Sequence, residues 1–338
     1  MFKTAASSEP PIAFLFPGQG SQHYQMGREL FEGEPDFRER LLALDRDYAR
    51  AQGVSLVDHL YGSTSARVPL DDIRLSFPMV VLLEYCLAMT LSGRGLRPSL
   101  LIGSSAGEYA AHAFAGRISI GQALEMVTEQ ARCATEHVGD GFLLAVMESP
   151  TFYEAHADIR ALAQFAGVSF PGAIVLAGMR GQLAALETLL RAHGSTYQVL
   201  PVRVPFHSAW VDPAQQPWLN RYEHITMQAG RLPILGQCPA PGAQSYAQAL
   251  WSVVREPLDF PSVIAGLDVQ TPYLMIDVGP AGTLANWVRY GAGRGSAWQT
   301  VGLLSPWGGD LGRFRKLCAP TAARSFHATP HPQAGVLP

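Results

Sequence analysis

The sequence predicts an α/β fold with a mainly parallel sheet and a smaller inserted subdomain. Short apolar runs alternate with longer segments that have the apolar spacing of helices, as in parallel sheets covered by helices. Three glycine-containing loops, at residues 18–21, 104–107 and 279–282, each follow a predicted strand. Because the site of such a fold lies at the carboxyl ends of its strands, the three loops should meet there.

The first predicted strand is the apolar run Ile12–Phe16, and a helix is predicted from about Tyr24. Between them, the turn Pro17–Ser21 can present backbone N–H groups into a site. The turn lacks the lysine and the glycine spacing of a phosphate-binding loop. An oxyanion-binding role for one of its amides therefore fits better, provided that a nucleophile lies elsewhere in the chain.

A Gly-x-Ser-x-Gly motif at Gly103–Gly107 supplies the candidate nucleophile, Ser105. The motif alone is short and common, but an apolar strand precedes it and helix-forming residues follow it. This strand–turn–helix context is the one that a nucleophile elbow requires. Ser105 would then lie on a strained turn, facing the positive N-terminal end of the following helix.

The stretch from about residue 141 to 204 has the element order β-α-β-β-α-β, which is that of a ferredoxin-like unit. The prediction is a large subdomain of residues 1–136 and 205–318, a ferredoxin-like subdomain of 137–204, and a tail of 319–338 rich in Pro, Ala and His. In chain order, the other predicted elements are helix Phe77–Leu91, helix Ser119–Glu136 with Ser119 as its N-cap, strand Gly141–Met147, helix Pro150–Ala163, strands Ala166–Phe170 and Ala173–Ala177, helix Gln182–His193, strand Tyr197–Val204, helix Ala247–Val254, strand Tyr273–Val278 and helix Thr283–Tyr290.

The composition argues against several classes of protein. The net charge is −3 over 338 residues and no Lys/Arg-rich run occurs, so a nucleic-acid partner is not expected. No signal-peptide core is visible, and no stretch approaches the ~20 apolar residues of a membrane span. The four cysteines are scattered without metal-type spacing, as is typical of the reducing cytoplasm. A cytoplasmic protein without a membrane partner or a metal site is expected.

Four motifs occur in order along the chain: Phe16–Gln22 (FPGQGSQ), Gly103–Glu108 (GSSAGE), Phe206–Ser208 (FHS) and Asp277–Pro280 (DVGP). Together they resemble the malonyl-CoA:acyl carrier protein transacylase family, which includes the acyltransferase domains and free-standing acyltransferases of polyketide synthases. The resemblance spans roughly residues 12–305. It implies an α/β-hydrolase-like core that carries a ferredoxin-like small subdomain.

The resemblance also implies roles for individual residues. Ser105 is the nucleophile and His207 its general base, whereas without the resemblance a structural histidine is the simpler interpretation of His207. The backbone N–H groups of Gln19 and Ala106 are the implied oxyanion donors. A backbone carbonyl near Val253, counted back from the following proline, is implied to orient the histidine. Such a dyad converts a thioester into an acyl-serine. No cofactor is implied, because the substrates carry phosphopantetheine or CoA.

One departure from the family concerns the acyl group. Malonyl-transferring relatives have an arginine that pairs with the malonyl carboxylate, and the alignment places Gln130 at that position, with Arg132 as the alternative. On a helix these two side chains point about 200° apart, so both cannot face the site. Gln130 cannot form an ion pair, and burying a carboxylate beside it would cost several kcal/mol. A neutral acyl chain is therefore favoured if Gln130 faces inward.

Three further positions complete the predicted substrate pocket. Ser104 stands where the family usually has histidine, and Phe77 where glutamine is common. Phe206 is the residue type of malonyl-type rather than methylmalonyl-type enzymes, or else simply a wall of the pocket.

Loss of the arginine, commonly to glutamine, is typical of the free-standing acyl hydrolases of trans-acyltransferase polyketide pathways. The resemblance therefore implies an acyl-ACP thioester hydrolase that removes stalled acyl groups, with water resolving the acyl-serine. Two alternatives stay open: transfer of malonyl or another acyl unit from CoA or ACP to an acyl carrier protein, and a non-catalytic carrier-binding scaffold. Acyl carrier protein is the expected partner in each case, and CoA thioesters are further candidate substrates.

Overall fold

The structure, a computed structural model, describes residues 9–62, 70–238, 245–291 and 296–320. The predicted tail therefore lies outside the described residues, apart from 319 and 320. The strands are β1 (Ile12–Phe16), β2 (Leu100–Gly103), β3 (Gly141–Val146), β4 (Gln164–Phe170), β5 (Ala173–Met179), β6 (Tyr197–Val199), β7 (Ile234–Leu235), β8 (Leu258–Asp259), β9 (Leu274–Asp277) and β10 (Gln299–Gly302). The α-helices are α1 (Arg28–Gly33), α2 (Pro35–Gln52), α3 (Leu56–Tyr61), α4 (Ile73–Gly93), α5 (Gly107–Phe114), α6 (Ile120–His137), α7 (Pro150–Ala155), α8 (Ala157–Leu162), α9 (Leu183–Ala192), α10 (Gln215–Tyr222), α11 (Tyr246–Arg255), α12 (Phe260–Ala265), α13 (Thr283–Gly291) and α14 (Asp310–Cys318).

The sheet of the large subdomain has the strand order β10-β9-β1-β2-β7, and each neighbouring pair is parallel. In the register of this sheet, Phe16 pairs with Gly103, and Leu15 pairs with Asp277. The three strands therefore end at the same edge, and the loops that follow them lie side by side. This arrangement confirms the predicted α/β fold with a parallel sheet.

The second sheet has the order β6-β3-β5-β4-β8. Its first four strands are antiparallel and have the order of a ferredoxin-like unit. The chain enters and leaves this unit at adjacent points, since the Gly141 N–H donates to the Arg203 carbonyl at 2.7 Å. The fifth strand, β8, belongs to a later part of the chain and runs parallel to β4. No local pattern in the sequence indicates this two-residue strand.

Two elements of the small subdomain differ from the prediction. The helix expected over 150–163 is two short helices, because His156 between them is extended (φ −109°, ψ 93°). The last strand, expected over 197–204, ends at Val199. Pro201 follows, and proline cannot donate a hydrogen bond to a neighbouring strand.

Helix α4 is the central helix of the large subdomain. Fifteen of its 21 residues are buried, and its apolar side chains belong to the main hydrophobic cluster. By length and composition alone this helix could cross a membrane, which the sequence analysis did not expect. Its burial in the interior is that of a core helix, since 78% of its most apolar stretch is covered by protein.

Helix α6 begins as predicted. Ser119 is its N-cap, and the Ser119 hydroxyl accepts from the Gln122 N–H at 3.1 Å, while the Gln122 side chain accepts from the Ser119 N–H at 2.9 Å. This reciprocal capping box fixes the start of the helix that carries Gln130 and Arg132.

Candidate active site

Ser105 lies on a sharp turn between β2 and α5. Its backbone is in the left-handed region, with φ 51°, and its side chain is half-buried. The turn packs closely on β1: the Ser104 N–H donates to the Phe16 carbonyl at 3.0 Å. A Cβ on Gly107 would lie 2.0 Å from the same carbonyl oxygen, so this position requires glycine. The geometry is that of a nucleophile elbow.

His207 is placed to activate this serine. Its Nε2 lies 2.9 Å from Ser105 Oγ, and its Nδ1 lies 2.9 Å from the Glu256 carbonyl oxygen. Because a carbonyl only accepts, Nδ1 carries the proton and Nε2 is left to accept from the serine hydroxyl. The His207 backbone is also left-handed, with φ 60°, and its N–H donates to the Val254 carbonyl at 2.8 Å.

The carbonyl that orients His207 belongs to Glu256, so the prediction of Val253 is wrong by three residues. Val253 lies in the last turn of α11, where carbonyls point along the helix axis. Glu256 follows the helix in an extended conformation (φ −74°, ψ 146°), which turns its carbonyl away from the axis and toward the imidazole. Counting residues back from Pro257 cannot reveal that the backbone becomes extended at Glu256.

Burial sets the protonation state of His207. The side chain is 2% exposed, and burial lowers the pKa of His207 to about 4, although the hydrogen bond to Glu256 acts in the opposite direction. The imidazole is therefore neutral near pH 7 and able to accept a proton.

We expect the rate of acyl-serine formation to stay level from about pH 7 to about pH 5, and to fall as the pH drops through the lowered pKa of His207, about 4. Protonation removes the base. If the imidazole had its ordinary pKa, the enzyme would instead lose half of its activity at about pH 6.5. The measurement is acyl-enzyme mass against time with an acetyl thioester at each pH. Recovery after return to neutral pH controls for unfolding, and half-loss near pH 6.5 would contradict this prediction.

The turn after β1 packs against the start of α5. Gly18 has φ 74°, and a Cβ there would lie 2.9 Å from the Ala106 nitrogen. The two amides proposed as oxyanion donors, those of Gln19 and Ala106, therefore belong to segments in direct contact. The Gln19 side chain donates to Ser76 Oγ at 3.0 Å, which holds this turn against α4.

Glu84 is a functional candidate that sequence reasoning missed. It is fully buried, and its Oε1 accepts from the Gly18 N–H at 2.9 Å. Burial raises the pKa of Glu84 well above its ordinary value, and the nearby carboxylate of Asp277 adds to this effect. One feature of the sequence could have revealed it: Glu84 is the one charged residue in the apolar segment Phe77–Leu91. Its hydrogen bond with Gly18 holds the turn that carries Gln19, whose amide is a predicted oxyanion donor.

We expect Glu84→Leu to lower kcat for acyl-serine formation about tenfold with little change in KM, because the buried Gly18 N–H loses its acceptor. Glu84→Gln keeps an acceptor oxygen and should retain most of the rate. Steady-state kinetics of both variants, with thermal unfolding curves, separate this effect from loss of folding. Equal losses of kcat in the two variants would contradict a role through this hydrogen bond.

Aromatic side chains line the region beside the dyad. Phe206 precedes His207, and its ring packs edge-on against Phe77 with centroids 6.1 Å apart. Phe77 in turn packs edge-on against Tyr109 at 6.2 Å. Ser104 is 3% exposed and adjoins the nucleophile. Ser104 and Phe206 thus adjoin the dyad residues in the chain, and Phe77 packs on Phe206.

The fourth residue predicted for the pocket, Gln130, is on the buried face of α6. It is fully buried, and its amide lies against the Tyr109 hydroxyl, with no well-formed hydrogen bond on either polar atom among the described residues. Arg132 is turned outward: its side chain is 48% exposed and pairs with Glu129 at 2.6 Å and also with Glu136. The residue that approaches the interior is therefore the neutral one.

Comparisons with known proteins show which family this chain resembles. The sequence model of the acyl transferase domain family matches residues 13–317. The chain is 36% identical over 301 residues to the polyketide biosynthesis acyltransferase homolog BaeD of Bacillus velezensis, which covers 88% of this chain and 92% of that relative. It is 31% identical over 307 residues to the homolog PksD of Bacillus subtilis, with 89% and 94% covered.

Solved structures have the same fold. A loading acyltransferase from the avermectin modular polyketide synthase superimposes with a TM-score of 0.77 at 25% identity, covering 90% of this chain and 98% of that one. FabD from Acinetobacter baumannii superimposes with a TM-score of 0.74 at 21% identity, covering 91% and 97%, and shows the fold alone. The sequence resemblance is thereby confirmed, and the chain belongs to the acyl transferase domain family.

Proposed function

We propose that this chain is an acyl-ACP thioester hydrolase that edits stalled acyl groups in polyketide biosynthesis. The observation that carries the proposal is the inward position of a neutral Gln130, while Arg132 is paired at the surface. A buried amide with unsatisfied polar atoms is the kind of group that a ligand or water completes. It offers a carboxylate no positive charge, so a neutral acyl chain is the better occupant.

The proposed reaction begins with proton transfer from Ser105 Oγ to His207 Nε2, across the 2.9 Å contact. The oxygen attacks the thioester carbon, and the oxyanion that forms accepts from the amides of Gln19 and Ala106. The C–S bond then breaks, and the imidazolium returns its proton to the leaving thiolate. The lowered pKa of His207, about 4, makes the imidazolium a strong donor for this step.

Water resolves the resulting acyl-serine. Neutral His207 removes a proton from the water, the hydroxyl attacks the ester carbon, and the Ser105 oxygen leaves with the proton. The products are the free acid and the original enzyme. The proposal includes acyl carrier protein as the partner and the cytoplasm as the location. It includes no cofactor, because each step uses only side chains and backbone amides of the chain.

Acyl transfer is the second candidate function. It is favoured by the family and by the names of the two Bacillus relatives, which refer to acyltransferase homologs of polyketide biosynthesis. Transfer uses the same dyad, with a carrier-protein thiol or CoA replacing water. A non-catalytic scaffold has less support, because the Ser105–His207 contact is intact.

The test incubates the protein separately with acetyl-loaded and malonyl-loaded acyl carrier protein. Released acid is measured by chromatography, and the acyl-serine is measured by intact mass. Hydrolysis predicts multiple turnovers of acetyl-ACP to free acetate, with Ser105→Ala as the inactive control. A malonyl-serine that persists and passes to a second, unloaded carrier protein would overturn the proposal in favour of transfer.

A further inference from the structure

The structure contains a cluster of three possible metal ligands that the proposed reaction does not use. Two of them are on α5, the helix that follows Ser105. Glu108 and His112 are one helical turn apart on the same face of the helix. Cys238, from the segment after β7, joins them. A carboxylate oxygen, an imidazole nitrogen and the sulfur all lie within 4.8 Å of one another. Sequence spacing could not reveal the cluster, because 126 residues separate His112 from Cys238.

The clearest sign of a ligand is the imidazole of His112. The residue is 1% exposed, and its Nε2 has no hydrogen-bond partner among the described residues. Its Nδ1 lies 2.7 Å from the Tyr246 hydroxyl. When Nδ1–H donates to this oxygen, Nε2 presents a lone pair. A metal-binding histidine is typically held in this way by a partner on its other nitrogen.

Glu108 fixes the other two donors relative to each other. It is fully buried, its Oε1 accepts from the Gln237 N–H at 2.7 Å, and its Oε2 accepts from the Cys238 N–H at 2.9 Å. Each carboxylate oxygen retains a lone pair for a further partner. The same two hydrogen bonds place the Cys238 backbone against α5.

We propose that Glu108, His112 and Cys238 bind one divalent transition-metal ion, for which Zn²⁺ is the best fit. The combination of sulfur, nitrogen and carboxylate oxygen matches zinc, whereas Mg²⁺ and Ca²⁺ prefer oxygen alone. The three donor atoms must move closer to one another by roughly 1 Å to bind a single zinc ion. Binding displaces the Cys238 thiol proton into solvent, and a water molecule completes the fourth position. The ion would cross-link the helix after the nucleophile to the segment after β7.

The test measures metal binding rather than turnover. Chelator-stripped protein is titrated with Zn²⁺ against a chromophoric competitor, and with Co²⁺ while absorption is recorded. We expect one ion per chain and a thiolate-to-cobalt charge-transfer band. Cys238→Ser should abolish that band, and both Cys238→Ser and His112→Ala should weaken Zn²⁺ binding at least about 100-fold. Cys318→Ser is the matched control, because Cys318 lies outside the cluster, and it should bind like the wild type.

Two results would overturn the proposal: no ion bound at a tenfold molar excess of Zn²⁺, or binding that the His112 and Cys238 substitutions leave unchanged. Should His112→Ala fail to fold, Tyr246→Phe removes only the partner of Nδ1 and is expected to weaken binding about tenfold. The same titration in a Ser105→Ala background should give the wild-type affinity. Failure of the metal proposal is thus distinguishable from failure of the proposed hydrolase function.

Discussion

Replacing Ser105 with alanine is expected to abolish the acyl-enzyme and to lower thioester turnover by at least about 10³-fold. In the proposed mechanism the hydroxyl supplies the attacking oxygen, and no other group lies at the same 2.9 Å contact with His207 Nε2 in the described structure. His207→Ala should cause a loss of similar size, because a nucleophile and its base act as a unit. For both variants, intact mass after incubation with acetyl-ACP measures the acyl-enzyme, and release of free acid measures thioester turnover.

The matched control for this prediction is Ser99→Ala. Ser99 directly precedes β2, at the opposite edge of the sheet from Ser105, and its hydroxyl donates to the Ile12 carbonyl at 3.3 Å. This variant should turn over at the wild-type rate. An acyl-enzyme that still forms in Ser105→Ala would place the nucleophile elsewhere and end the proposed mechanism.

Gln130→Arg is expected to raise the rate of malonyl loading relative to acetyl loading by about 10- to 100-fold. A guanidinium at this buried position can form two parallel hydrogen bonds with a carboxylate, whereas the native amide leaves the charge uncompensated. The change corresponds to about 1.4 to 2.8 kcal/mol of differential transition-state binding. The ratio of kcat/KM values for malonyl and acetyl thioesters measures it directly.

Two further substitutions make this experiment decisive. Gln130→Met keeps the volume without a charge and should not gain malonyl loading. Arg132→Gln removes the outward-facing guanidinium, which is already paired with Glu129, and should leave the ratio unchanged. A shift in the ratio with Arg132→Gln but none with Gln130→Arg would mean that acyl groups approach the opposite face of α6, and the hydrolase proposal would lose its support.

Much of the fold follows from local pattern. The run Ile12–Phe16 is a strand with the predicted bounds, because five consecutive apolar residues fit a strand buried on both faces. Ser119 caps α6 as predicted, since its hydroxyl can satisfy an otherwise unpaired N–H. By contrast, the two-residue strand Leu258–Asp259 has no local signal, and it forms only because tertiary packing brings it beside β4.

Some residues of the candidate site were likewise predicted from the sequence, and others depend on the folded backbone. Ser105 was predicted from its strand–turn–helix motif, whereas the role of His207 was implied by the family resemblance. Glu256 was missed because its contribution is a carbonyl oxygen, which each residue possesses, and only the direction of the backbone selects it. The orientation of Gln130 and Arg132 depends on the rotation of α6 about its axis, which the alignment of residues alone did not determine.

The left-handed backbone at Ser105 and His207 has a consequence for evolution of the protein. Each residue is held in a region that costs of order 1–3 kcal/mol for a side chain with a Cβ, and glycine would relieve most of that cost. This strain lowers the free energy of unfolding of the domain, and it lies at the two residues proposed to carry the reaction. Selection for thermal stability alone would favour glycine at the half-buried position 105, so stability and the proposed catalytic turnover oppose each other there.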